Sequence, residues 1–127
     1  MLKPAADGPS LVACNTCKRD GAPAGAVLVS ALRRAQATTL AYAGIAIEEM
    51  PCLFACADSC TVHLRAPGKI GYVLGRFAPD DAAAQAILDY AAAYAESDAG
   101  RVPYREWPEG VKGHFLVRVP PAGFVAE

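Results

Sequence analysis

The chain has 127 residues, is 54% hydrophobic and carries 12 Lys and Arg against 13 Asp and Glu. That length and apolar content suit one folded unit with its own core and exclude a disordered chain. The near balance of charge argues against a nucleic-acid-binding protein or one held on an anionic membrane, because both draw on a basic excess. Met1 to Ser10 is polar, with Pro4, Gly8 and Pro9, and lacks the apolar core of a signal peptide. No stretch is long and apolar enough to span a bilayer, so the expected location is the cytoplasm. Leu11 to Ala13 predicts a short buried strand ending at Cys14. Asp20-Gly21-Ala22-Pro23 reads as a helix start, with Pro23 suited to the first turn. Val27, Leu28, Ala31, Leu32 and Ala35 recur at helical spacing, and Gly44 is a suitable stop. Ile45 to Ile47 reads as a second strand.

A cysteine-bearing loop or helical turn follows from Pro51 to Cys60. Thr61 to Arg65 alternates, with Val62 and Leu64 on one face and Thr61, His63 and Arg65 on the other. Pro67-Gly68 signals a turn and Ile70 to Phe77 is strand-like, so the two runs predict a hairpin. Pro79-Asp80-Asp81 opens a second long helix, with its acids where the helix dipole favours them. Ile87, Leu88, Ala91 and Tyr94 form its apolar stripe and Gly100 ends it. A tail from Arg101 to Glu127 holds four prolines, Trp107 and a strand-like run from Phe115 to Val119. The expected order is β-α-β, cysteine loop, β-β-α, then the tail.

All five cysteines lie in the first half of the chain. Cys14 and Cys17 form C-x-x-C between a strand end and a helix start. There the helix N-terminus, Lys18 and Arg19 favour thiolate over thiol. Cys52, Cys56 and Cys60 form C-x-x-x-C-x-x-x-C. As a helix they would share roughly one face, and as a loop two of the sulfurs could still reach one iron. Parallel β-α-β strands place their C-terminal ends side by side, where α/β sheets put their sites. Clustered thiols without a secretory signal point to metal rather than disulfides, and an odd number leaves one thiol over. Three chemistries compete: a [2Fe–2S] cluster on four thiolates, a tetrahedral zinc site, and a dithiol using Cys14 and Cys17 alone. The plain alternative is that the cysteines are small buried hydrophobes.

The run Cys14-Asn15-Thr16-Cys17-Lys18-Arg19-Asp20-Gly21-Ala22, followed by a helix, is similar to the first cysteine motif of thioredoxin-like [2Fe–2S] ferredoxins. That group includes the small iron–sulfur subunit of NADH dehydrogenases and hydrogenases. Cys52-Leu53-Phe54-Ala55-Cys56, then Thr61-Val62, a turn and Lys69 to Tyr72, resembles their second motif and final hairpin. This likeness runs from about Leu11 to Glu96. A longer one covers most of the chain, tail included. Its pattern is C-x-x-C, then C-L-x-x-C-x-x-x-C-T-V, P-G-K, V-P near the helix end and a closing V-P-P. This resembles an uncharacterised bacterial family of predicted metal-binding proteins, domain of unknown function family 1636. Two departures from the ferredoxins stand out. Only two residues separate the first cysteines, and Ser59-Cys60 stands where the ferredoxins have Gly-Pro. Thioredoxins carry a cis-proline at that place, so its absence lowers the oxidoreductase reading, and the added thiol makes the fourth ligand a choice between Cys17 and Cys60.

Other residues have simpler roles. His63 and His114 read as ordinary strand and tail residues before they read as ligands. Lys18, Arg19, Arg65, Lys69 and Arg76 either ring the cysteines or are plain surface charge. Asp80 and Asp81 are first-turn helix acids. Glu48 and Glu49 point to opposite faces and make no dyad. Tyr104, Trp107 and Phe115 pack against the same chain more simply than against another subunit.

The resulting expectation is an α/β, thioredoxin-like sandwich, with a small mixed sheet, flanking helices and a proline-rich C-terminal extension. It forms one domain over residues 1–127, with its core at about 11–100 and the extension at 101–127. It binds a [2Fe–2S] cluster or another thiolate-held metal, for electron transfer or metal handling. The resemblance implies Cys14, Cys17, Cys52 and Cys56 as ligands, with Cys60 in reserve. The alternatives are zinc, or a thiol-disulfide or metal-delivery protein using Cys14 and Cys17. A self-contained enzyme is not expected. The expected partner is a redox or metal-handling protein, with no nucleic acid and no membrane, and a homodimer is compatible.

Overall fold

A computed structural model describes residues 2–4 and 7–125; the side chain of Cys56 lies outside that description. The elements are β1 (Ser10–Cys14), α1 (Ala24–Thr38), β2 (Ala46–Met50), β3 (Val62–Arg65), β4 (Gly71–Leu74), α2 (Asp81–Glu96) and β5 (Phe115–Val119). The five strands form one mixed sheet in the order β2-β1-β3-β4-β5. β1 and β2 are parallel, and every other neighbouring pair is antiparallel.

All five residues of β1 are buried, as expected for an inner strand with neighbours on both sides. Leu11 and Ala13 join Val62, Leu64 and Leu74 to make the floor of the core. Leu28, Ala31 and Leu32 of α1 and Ala84, Ile87, Leu88 and Ala91 of α2 cover that floor. Alanine lets the two helices pack closely side by side, and each larger aliphatic group adds about 1.5–3 kcal/mol by leaving water. Asp80 caps α2 by accepting a hydrogen bond from the Ala83 N–H at 2.9 Å. Lys69 closes its other end on the Tyr94 and Ala95 carbonyls, at 3.3 and 2.7 Å.

Several boundaries differ from the expected ones. α1 stops at Thr38 instead of running to Gly44. Thr39 is extended, and a single tight turn, Leu40–Tyr42, intervenes before β2. Two adjacent β-branched residues are poor helix formers, which explains the early end. Val27 lies 44% exposed and Val29 is buried, so the apolar stripe is rotated from the one predicted. β2 begins one residue later than expected and runs on to Met50. β4 ends at Leu74, short of Phe77.

The tail belongs to the structure of the sheet. β5 pairs with β4, and Trp107 and Phe115 pack against the core. Tyr90 meets Trp107 and Phe115 edge-on at 6.0 and 5.2 Å between ring centres. Among the described residues, no helix is long and apolar enough to cross a membrane.

Candidate functional site

The register of the two parallel strands sets Cys14 beside Met50. The chain therefore leaves β1 and β2 at the same end of the sheet. The Asn15 N–H bonds the Met50 carbonyl at 3.0 Å and carries the pairing one residue further. One cysteine segment follows each strand, so the expectation that they would emerge together holds.

The first segment is compact. Cys14 and Cys17 are both buried, and the Cys17 thiol donates to the Cys14 sulfur across 2.9 Å. The loop sits directly on the start of α1, where the Gly25 N–H bonds the Cys17 carbonyl at 3.0 Å. A Cβ on Gly25 would lie 2.4 Å from the Cys14 carbonyl oxygen, so only glycine permits this approach. No acidic residue occupies the first turn of α1, and its positive end is left to favour negative charge nearby.

Burial would raise the Cys14 thiol. Hydrogen bonds from the Cys17 thiol, the Thr16 backbone and hydroxyl, and the Leu53 backbone outweigh it and bring Cys14 down from 9.0 to about 7. Cys17 goes the other way. Burial, the shared hydrogen bond and the nearby Cys14 charge push it up to about 11, against hydrogen bonds from Thr61. The two sulfurs thus share one proton, with the charge placed on Cys14.

The second segment is irregular. Cys52 and Phe54 both take left-handed backbone angles, with φ of 52° and 59°. The turn between them sends the Phe54 N–H to the Cys52 sulfur at 3.3 Å. Cys52 is half-buried, whereas Phe54 stands 96% exposed at the tip. One tight turn, Cys56–Asp58, follows, so the longer helix that would have aligned all three cysteines does not form. The position of the Cys56 sulfur, a predicted ligand, lies outside the described residues. The Ser59–Cys60 peptide bond is cis. Cys60 is 1% exposed and belongs to the hydrophobic core. Its burial pushes the thiol up, with Arg19 opposing that shift and Cys14 adding to it.

Two threonines hold the second segment in place. Thr61, expected on the polar face, is buried, and its hydroxyl reaches the Ala55 and Asp58 carbonyls at 3.4 and 3.2 Å. The Thr16 hydroxyl accepts a hydrogen bond from the Cys52 N–H at 3.1 Å. Sequence reading did not single out either residue. The signal was present in both: each is a small hydroxyl residue next to a cysteine, where local hydrogen bonding to backbone is common.

Of the cations weighed either as a ring or as plain surface charge, Lys69 and Arg65 lie away from the cysteines, while Arg19 and Arg76 stay near the cysteine segments. Lys69 caps α2 and Arg65 lies beside Ser10 at the far end of the sheet. Arg19 donates to the Phe77 carbonyl at 2.9 Å, and Arg76 pairs with Asp58. Of the two histidines, His114 is hydrogen-bonded, whereas the buried His63 Nε2 has no hydrogen-bond partner. His114 bonds the Gly75 carbonyl at 2.8 Å and stacks on Phe77. His63 turns its Nε2 toward Gly71 on β4. Glu49 meets Arg33 and Asn15 while Glu48 points to the other face, so no acid pair exists there. Among the described residues, no three Cys, His, Asp or Glu side chains converge closely enough to hold a metal ion. What is assembled is a buried two-thiol pair with the second cysteine segment tethered beside it.

Residues 11–121 match the family described as protein of unknown function (DUF1636), and the chain belongs to that family. No curated protein matches the chain. Among solved structures, a thioredoxin-like [2Fe–2S] ferredoxin from Aquifex aeolicus aligns over 94% of this chain and 100% of its own, with a TM-score of 0.56 and 16% identity. That similarity establishes the thioredoxin-like α/β fold. A structure of the wild-type thioredoxin-like [2Fe–2S] ferredoxin from the same organism aligns over 61% of this chain and 80% of its own, at a TM-score of 0.46 and 20% identity.

Proposed function

We propose that this DUF1636 protein is a thiolate metal-binding protein that takes a [2Fe–2S] cluster for electron transfer, on Cys14, Cys17, Cys52 and Cys56. The observation that carries this reading is the Cys14–Cys17 pair. Its two sulfurs lie 2.9 Å apart at the start of a helix, with backbone and hydroxyl donors turned toward Cys14. Such a pair matches the donor set a cluster needs: soft sulfur ligands, at least one already anionic, and hydrogen bonds ready to offset the charge. Cys52 is tethered next to it through Thr16, and the Cys56 turn follows four residues on. Cys60, buried in the core like Cys14, stays in reserve as an alternative fourth ligand. A bound [2Fe–2S] group supplies one-electron transfer. The protein supplies the thiolates, their order along two strand ends, and a dry floor beneath them. Phe54 and Cys52 mark the exposed side, where a redox or metal-handling partner would approach. Zinc on the same sulfurs is the competing occupant, since a tetrahedral thiolate site suits it equally.

The test is anaerobic purification followed by reconstitution with ferrous iron and sulfide. The expected outcome is red-brown protein holding about two irons and two sulfides per chain. Colourless protein with tightly held stoichiometric zinc, and no cluster after reconstitution, overturns the iron reading in favour of zinc.

One observation favours a second reading. Cys14 at about 7 and Cys17 at about 11 have the division of labour of an attacking thiolate and a resolving thiol. In that reading the Cys14 thiolate attacks a disulfide, expelling one thiolate, and Cys17 then loses its proton and attacks the Cys14 sulfur of the mixed disulfide, forming the Cys14–Cys17 disulfide and releasing the second thiolate. Turnover of a small-molecule disulfide by Cys52→Ser protein, with none by Cys17→Ser, would support it.

A further inference from the structure

We propose that Thr16 is the positioning residue of this site: its one hydroxyl fastens the Cys52 segment to the Cys14–Cys17 segment and hydrogen-bonds the Cys14 sulfur. The inference rests on the metal-binding reading only for its second half. The geometry is specific. The Thr16 Oγ1 lies 3.1 Å from the Cys52 nitrogen and 3.7 Å from the Cys14 Sγ. The Cys52 N–H can only donate, so it occupies a lone pair on that oxygen and leaves the single hydroxyl hydrogen for sulfur. The N–H···O length is ordinary, and the contact to sulfur is a long one. One side chain therefore touches both cysteine motifs, across 36 residues of sequence.

The tether matters because of what it holds. Cys52 sits at φ 52° and Phe54 at φ 59°, a conformation that disfavours any residue with a Cβ. A loop bent this way needs external contacts to keep it. With Cys52 in place, successive backbone N–H groups face sulfur: Leu53 toward Cys14 and Phe54 toward Cys52. This arrangement of consecutive donors resembles the backbone concavities that hold anions and iron–sulfur groups. Loss of the Thr16 hydroxyl would remove one of the contacts that hold Cys52 and loosen the donors that follow. Valine has nearly the same shape as threonine but neither hydrogen bond. Serine keeps the hydroxyl.

The experiment compares wild type with Thr16→Val, Thr16→Ala and Thr16→Ser. In metal-free, reduced protein, amide hydrogen exchange is read at Cys52. The expected result is exchange about tenfold faster in Thr16→Val and Thr16→Ala, with Thr16→Ser close to wild type. Proteins are then loaded with ferrous iron and sulfide and their reduction potentials compared. Fewer hydrogen bonds to sulfur should move the potential of the valine and alanine variants to more negative values, again with rescue by serine. Equal Cys52 exchange in all four proteins overturns the role of Thr16 whatever happens with iron. Failure of the wild type to take up iron and sulfide overturns the cluster reading, and the exchange measurement then decides the tether alone. Faster exchange with unchanged potentials in loaded protein removes the sulfur contact and overturns the proposal as stated.

Discussion

The two cysteine segments leave the same end of the sheet, yet they are held in opposite ways. Cys14 and Cys17 follow a fully buried strand and rest on the first turn of α1, close enough that Gly25 cannot bear a Cβ. Cys52 and its neighbours follow an edge strand whose last two residues are exposed, and form a loop with two left-handed residues and one short turn. The first half of the site is fixed by the core. The second is held by scattered hydrogen bonds, among them those of Thr16, Thr61, Ser59 and Arg76. Local opening of a few kcal/mol or less is expected where buried contacts are few, so the second segment is the half that can adjust to an incoming ligand.

Removing sulfurs one at a time should have the largest effect. Cys14→Ser, Cys17→Ser and Cys56→Ser should each lose or strongly perturb the metal centre, by metal content and visible absorption. Cys60→Ser should keep it and change its lifetime in air, because a neighbouring thiol can cap an oxidised centre. If Cys60→Ser abolishes binding while Cys17→Ser leaves it intact, the site is instead built from Cys14 and the second cluster. Chelation should also lower the melting temperature, since a site gathered from distant segments adds folding free energy.

Overpacking the first segment comes next in size. Gly25→Ala forces a Cβ against the Cys14 carbonyl at 2.4 Å, with the Cys17 nitrogen at 3.0 Å. Backbone on both sides leaves nothing flexible to yield. The expected loss is about 1–3 kcal/mol in urea denaturation of the metal-free protein, together with weaker metal uptake. A neutral substitution would mean that the first segment is as pliable as the second.

The proton shared by Cys14 and Cys17 gives a pH signature. Cys14 is lowered to about 7, so between pH 7 and 9.0 the native pair has released a proton that the unfolded chain still binds. Stability of the reduced, metal-free protein therefore rises with pH across that window and is lost as pH falls through about 7. Cys17 is raised to about 11, so above 9.0 the native pair keeps a proton that the unfolded chain releases, and stability falls again. Urea unfolding across this range should show a maximum near pH 9, and Cys17→Ala should flatten it. A maximum that survives Cys17→Ala would place its origin elsewhere.

The smallest expected effect lies at the loop tip. Phe54 is exposed and left-handed, so Phe54→Gly removes a backbone penalty and gives up little packing. Stability should change by less than about 1 kcal/mol, in the favourable direction. A large loss on thermal melting would show that the tip is packed in solution and that the second segment is as well held as the first.

The placement of these groups also explains which parts of the site could be read in advance. The buried run Leu11 to Cys14 and the Pro-Gly turn are local signals, and each appears where it was expected, whereas Asp80, read as a first-turn acid, is the cap that precedes the helix. The ends of α1 and β4 were misplaced because short apolar runs do not show where packing stops. Thr61 was assigned to the polar face by alternation, yet the loop closing over it buries it. Lys69 and Arg65 read equally as part of a ring or as surface charge, and β3 and the turn after it carry both to the far end of the sheet.

Spacing and side-chain chemistry act locally, so the element types, the family and the placing of two thiol clusters after two strands were all legible from the residues. Which sulfurs are buried, which of them holds the charge, and the turning of Cys60 toward the core emerge from the folded arrangement. Those properties depend on desolvation and on donors from residues far apart in the chain: Thr16 and Leu53 at Cys14, Thr61 at Cys17, and α1 beneath them both.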